Sequence, residues 1–208
     1  MHSACPHEKR CRVKKVTIGP IPYLVPIPIV LVGAVVDGRP NFATVGDCAV
    51  LGLRPSLIVV SLSAAHHTTR GVLAHRAFSI NVPTESMLPL VDCFGILSGK
   101  DHDKADLLPS VPGELTGAPL AVDCPINLEC RVRSVTEMEH RRIFIADVVQ
   151  THVDERFVTM EDDKPRVAPL TELHPILYAL DNGYYGVGER IGTGYESGRA
   201  LAARLAGA

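Results

Sequence analysis

The chain has 208 residues, 46% of them hydrophobic and 21% charged, with a mean hydropathy of +0.16, which suits one domain with a sizeable core and excludes a wholly disordered or fibrous protein. Lys and Arg total 21 against 23 Asp and Glu, a formal net charge of -2, so there is no basic excess to neutralise a nucleic-acid backbone. The longest apolar stretch, Ile27 to Val36, is shorter than the roughly 18 residues of a membrane helix and is interrupted by Pro28 and Gly33. Neither nucleic acid nor membrane is an expected partner.

Met1-His2-Ser3-Ala4-Cys5-Pro6 lacks the apolar core of a secretory signal, so a cytoplasmic chain is expected. Residues 1–15 are expected to be disordered and 16–208 to form a single domain. The six cysteines (Cys5, Cys11, Cys48, Cys93, Cys124, Cys130) are dispersed through a chain large enough to fold without staples, and free thiols are expected. His2, Cys5, His7 and Cys11 have soft-ligand chemistry, but their spacing matches no zinc pattern and no metal is expected there.

In chain order, Ile27–Val36 is rich in Val and Ile and reads as a buried strand. Asp37-Gly38 then supplies a turn, and the returning segment offers Asn41 and Thr44 as hydrogen-bonding side chains. Ser56–Leu62 is a second buried strand. It runs into Ser61-Leu62-Ser63-Ala64-Ala65-His66-His67-Thr68-Thr69-Arg70, where hydroxyls, a cation and the start of a helix over Thr68–Arg76, with Thr68 as its cap, converge. Helix N-termini present unpaired N–H groups and a favourable dipole, so the segment is either a phosphate site or an ordinary capped helix. His66 and His67, with His75, read as surface polarity rather than a metal cluster.

Ala77–Val82 is a further strand and Ser86–Leu97 a helix, followed by a glycine- and charge-rich loop, Phe94 to Lys104. Lys104 is either a solvated loop lysine or an anion contact. Leu107–Pro125 is a Pro- and Gly-spotted excursion, long enough for a functional loop. Ile126–Arg133 alternates strictly between apolar and polar, and Arg142–Val153 follows after a short connection at Glu139–Arg142, with a parity slip near Asp147 that predicts a bulge. Gly186 to Gly192 looks like a dinucleotide fingerprint without a strand–turn–helix frame and reads as a flexible tail; Arg199–Leu205 is a small helix. A mainly β chain of this kind, a β-barrel or similar closed sheet with a few short surface helices, leaves few strand edges open.

The ordered series Pro28–Gly33, Asn41-Phe42-Ala43-Thr44-Val45, Arg54–Ser61, His67-Thr68-Thr69 and Phe78–Val82 resembles the flavin reductase-like family, and within it the flavoredoxins. Ser98–Lys104, Leu128-Glu129-Cys130, His140 and Tyr178 to Gly188 continue the likeness, which spans roughly residues 20–190. The resemblance implies an FMN-binding split β-barrel, a homodimer with the flavin near the subunit interface. Carried over by motif, Asn41, Thr44 and Val45 lie against the flavin and its ribityl chain, and Ser61, Leu62, Ser63, Thr68 and Thr69 hold ribityl and phosphate. Asn81 and Val82 add contacts, Ser98 and Lys104 reach the phosphate or ring, His140 lies near the pocket, and Tyr178 belongs to a covering tail.

The implied function is transfer of reducing equivalents from NAD(P)H through flavin; the alternative is a flavoredoxin-type FMN electron carrier reduced by a redox-protein partner. No catalytic side chain is expected, because the cofactor carries the chemistry. The chain departs from the family in two places. Met138-Glu139 precedes His140 where a Gly is usual, and Gly46-Asp47-Cys48 stands where flavoredoxin-like members often place a Trp, a residue this protein lacks. Cys48 is then either a buried structural cysteine or a redox thiol near the ring.

Overall fold

The computed structural model describes residues 14–206. The N-terminal Cys and His residues, and nearly all of the segment expected to be disordered, lie outside that range. The first half of the chain forms strands β1 (Ile27–Pro28), β2 (Val30–Val36), β3 (Arg39–Val45), β4 (Cys48–Leu53) and β5 (Ser56–Ser63), helix α1 (His67–His75), strand β6 (Ala77–Val82) and helix α2 (Leu88–Ile96). After them come β7 (Ser110–Pro112), β8 (Pro119–Ala121), β9 (Ile126–Met138), β10 (Arg141–Val153), β11 (Val158–Glu161) and β12 (Lys164–Val167). Helix α3 (Leu170–Leu173), β13 (Leu177–Ala179), β14 (Gly183–Tyr185) and α4 (Arg199–Ala206) complete the fold.

Seven strands build one antiparallel sheet in the order β3-β2-β6-β9-β10-β5-β4. β2 has no solvated face, which explains its unbroken apolar sequence. Val30, Val32 and Ala34 enter one core with Phe78, Leu62 and Phe144, while Leu31 enters a second with Phe42, Val91 and Phe94. Gly33 sits where a Cβ would collide with the Phe42 ring and the Ser79 hydroxyl, so only glycine lets the strands approach this closely.

The sheet's two edges, β3 and β4, are consecutive in the chain and joined by Gly46 and Asp47 alone. A flat seven-stranded sheet would hold its edges many strand widths apart, and two residues cannot bridge that distance. The sheet therefore curls until its edges meet at one end, with no ladder of hydrogen bonds closing the gap: a split β-barrel. α1 packs on β2 and delivers Val72 to the inner core; Gly71 is required there because a Cβ would strike the Val35 carbonyl. α2 lies against the outer face of β3 and supplies Val91 and Phe94 to the second core.

Some elements differ from expectation. The strand expected over Ile27–Val36 breaks at Ile29, whose N–H bonds the Ile176 carbonyl as the chain passes from a small sheet (β1-β13-β14) to the main one. The helix expected from Ser86 opens as a 3-10 turn, Glu85–Met87, before α2. Thr68 is not a cap: α1 begins one residue earlier, after His66, which makes no side-chain cap bond. The Leu107–Pro125 excursion contains the β7–β8 hairpin. β9 and β10 turn through Glu139 and His140, and their register shifts on both sides of Asp147, as the parity slip predicts. No helix among the described residues is long and apolar enough to cross a membrane.

Candidate functional site

The N-terminus of α1, the start of the loop after α2, and β3 enclose a cavity of about 140 Å³ lined by Asn41, Thr44, His66, His67, Thr68, Ser98, Gly99 and Lys104, among others. Several of its polar groups are held by their neighbours. The Asn41 amide donates to the Thr68 hydroxyl at 2.7 Å, both residues being buried. The Thr69 hydroxyl donates to the Ser63 carbonyl at 2.8 Å, and the Thr44 hydroxyl to the Val91 carbonyl, which ties β3 to α2. Gly99 presses on Asn41 so closely that a Cβ would collide with the amide oxygen.

Lys104 is 4% exposed. Its ammonium donates to the carbonyls of Leu97 at 2.9 Å and Phe94 at 3.3 Å, around the C-terminus of α2, and lies 4.8 Å from the centre of the Phe94 ring. The negative end of a helix dipole and a ring face both favour a cation. No carboxylate pairs with it among the described residues, and one of its three N–H donors has no partner. Burial pushes its pKa below the ordinary value of 10.5. Arg39, on β3, pairs with Asp103 and so pins the loop that turns Lys104 inward.

The cavity is electropositive. His66 is held below its usual pKa of 6.5 by burial and then by the charges of Arg141, Lys104 and Lys100; His67 is lowered by burial and by Arg70. Neutral imidazoles, a buried ammonium and an uncapped helix start together form a place for an anion. Of the predicted residues, Asn41, Thr44, Thr68, Ser98 and Lys104 line this cavity, with Thr69 and Ser63 directly behind it.

Just past the end of β3, and two residues back along β5 from Ser63, lies a larger cavity of about 670 Å³. Gly46, Asp47, Cys48, Ser61 and Arg141 line it, and Leu24, Ile27, Val59 and Ile143 make it largely apolar. The Arg141 guanidinium donates from Nε to the Ser61 hydroxyl at 2.8 Å and from Nη2 to the Ser61 carbonyl at 2.8 Å, and pairs with Asp47. Burial raises the Cys48 thiol to about 11, and the side chain, partly buried, packs against the inner core at the edge of this cavity.

Other predicted residues stand elsewhere. Val45 and Leu62 are inner-core side chains. Asn81 has no exposure and is fully engaged in the fold: its amide donates to the Leu31 carbonyl and Ser79 hydroxyl, and its oxygen accepts from Ala121 and Asn127. Val82 beside it pairs with Ile126. His140 is exposed in the β9–β10 turn, its ring 3.9 Å from the neighbouring Glu139 carboxylate and its carbonyl accepting from the Ala64 N–H. Tyr178 packs edge-on to Tyr184 and bonds Asn182. His66 and His67, expected as surface polarity, sit on the small cavity, and Gly99 and Arg141 join the site without a sequence motif that points to them. Gly99 is marked only by its place in Ser98-Gly99-Lys100, and nothing local marks Arg141.

The family model for the flavin reductase like domain matches residues 23–182. The chain belongs to the flavin reductase-like family. Among solved structures of similar fold, flavoredoxin from Methanosarcina acetivorans is 29% identical with a TM-score of 0.81, covering 92% of this chain and 100% of that one. Flavoredoxin of Desulfovibrio vulgaris (Miyazaki F) is 30% identical with a TM-score of 0.80, over 89% of this chain and 100% of that one. An FMN-binding protein from Thermus thermophilus, solved with bound 1-cyclohex-2-enone, is 25% identical with a TM-score of 0.71, over 86% and 98%. The likeness to flavoredoxins expected from the motif series is thus met along nearly the whole chain.

Proposed function

We propose that this member of the flavin reductase-like family binds FMN and passes reducing equivalents from NAD(P)H through it. The observation that carries the reading is Lys104: a buried ammonium with carbonyl partners only, on a cavity that also receives the start of α1. Such a charge is costly without a counter-ion, and a phosphate supplies one. Lys104, Thr68 and the first-turn amides of α1 would hold the phosphate, Asn41 and Thr44 the chain that follows, and the larger cavity the ring end. FMN, when bound, supplies the hydride and electron chemistry. The polypeptide's own contribution is orientation and exclusion of water: α2 aims Lys104, Thr68 fixes the Asn41 amide, and apolar side chains line the larger cavity. Four free cysteines among the described residues accord with a reducing cytoplasmic setting.

Fluorescence-quench titration with FMN tests the site. Lys104→Ala and Thr68→Ala should each weaken binding by about tenfold or more, the loss expected when a charged or buried hydrogen-bonding group goes. Unchanged dissociation constants in both variants would remove the assignment.

A flavoredoxin-type carrier, reduced by a redox-protein partner, is the second reading, favoured by the near full-length likeness to two flavoredoxins. Steady-state oxidation of NADH and NADPH in the presence of FMN separates the two. Sustained turnover supports the reductase; a protein that holds FMN and does not turn over is the carrier.

A further inference from the structure

We infer that Asp47 and Arg141 together read the edge of a planar ring that carries an amide, a C=O beside an N–H. The two residues line the larger cavity, and among the described residues no other charged side chain does. Their pairing uses one carboxylate oxygen, Asp47 Oδ2, and one nitrogen, Arg141 Nη2. Nε and Nη2 are further engaged by Ser61, which fixes the plane of the guanidinium. Asp47 Oδ1 and Arg141 Nη1 have no hydrogen-bond partner among the described residues. One offers an acceptor and the other a donor, on two side chains joined through the Nη2–Oδ2 contact.

The pair is neutral overall, so it does not call for a charged ligand. A lone carboxylate would gain Nη1 but meet the Asp47 oxygen, and a lone cation would meet the reverse. An amide edge satisfies both at once, its carbonyl accepting from Nη1 and its N–H donating to Oδ1. Around the pair, Leu24, Ile27, Val59 and Ile143 suit a flat apolar ring body. Asp47 is held in place independently: its carbonyl accepts the Ser61 N–H, so the turn between β3 and β4 is tied to β5 at the same residue that orients Arg141.

Two molecules of the proposed reaction carry this edge, the pyrimidine ring of the flavin and the carboxamide of the nicotinamide, so the inference rests on that reading for its candidates. Its test compares analogues that keep the carbonyl and lose the N–H. In one arm, FMN and N3-methyl-FMN are titrated by fluorescence quenching. In the other, NAD+ and its 3-acetylpyridine analogue are titrated by calorimetry without flavin. Loss of the N–H should weaken binding by about tenfold in one arm. The difference should collapse toward unity in Asp47→Ala and in Arg141→Gln, with far-UV circular dichroism confirming that each variant is folded.

Discrimination in the first arm assigns the clamp to the flavin edge, and in the second to the nicotinamide. Equal binding of both members in both arms overturns the inference. The analogue ratio in the unaltered protein decides the matter even where a variant fails to fold. Failure of FMN to bind sinks the cofactor reading alone, because the nicotinamide arm contains no flavin and still supports or overturns the clamp.

Discussion

Glu129, on β9, has no exposure to solvent. Its oxygens accept from the Leu115 N–H at 2.7 Å and from His152 Nε2 at 2.7 Å, and a Cβ at Gly113 would collide with the carboxylate. One side chain thereby fastens the β7–β8 excursion to the sheet. Burial raises its pKa, but the N–H groups of Leu115 and Glu114 and the His152 bond outweigh that and hold it below the ordinary 4.5. The sign follows from linkage. A carboxylate with a depressed folded pKa stabilises fully above its unfolded value, and the stabilisation fades as pH falls through the folded value. Glu129→Gln keeps the shape and leaves one buried donor facing an amide, a cost of about 1–3 kcal/mol at neutral pH. Thermal unfolding should show a gap between wild type and variant at neutral pH that narrows below pH 4.5. A gap constant with pH would contradict this account.

At the scale of single elements, β4 is an edge strand with an apolar sequence and little cover. Val50, Leu51 and Leu53 are 67%, 53% and 80% exposed. Unprotected edges of this kind are normally covered by another chain. The exposed apolar residues Ile21, Tyr23 and Leu24 add to the uncovered surface, and Leu24 and Ala49 share the larger cavity. We propose a second copy of this chain as the cover. Light scattering should report a dimer for the wild type, and Val50→Lys with Leu53→Lys should shift it toward a monomer. A monomeric wild type would contradict the proposal. β4 is also an instructive omission from the sequence reading. Cys48 to Leu53 is a short apolar run with no alternation, yet most of it is exposed, because its environment is set by what pairs with it rather than by its own pattern. β9 is legible over Ile126–Arg133, where apolar and polar residues alternate even though Glu129 on the polar side is buried beneath the β7–β8 excursion, and it fades beyond Ser134, where most side chains are exposed.

For the whole molecule, the sequence carries the architecture well and the site only in part, for one physical reason. Burial patterns are local, and the strands that form the cores declare themselves by composition. Hydrogen-bond partners are distant: Thr68 looks like a cap until Asn41, 27 residues away, takes its hydroxyl, and Asn81 looks like a ligand until Ala121 and Asn127 engage it. Arg141 gave no signal because its partners, Asp47 and Ser61, lie 94 and 80 residues earlier.

The two-residue link between β3 and β4 makes the split in the barrel a seam stitched at one end. Val45 and Cys48 stand at the stitch, Arg39 and Leu53 at the loose end, so any gaping of the wall swings from the first pair and widens toward the second. Asp47 lies in the stitch itself. A residue so close to the pivot would move least in any such opening, so the position of Asp47 on the larger cavity is insulated from the looseness of the far end.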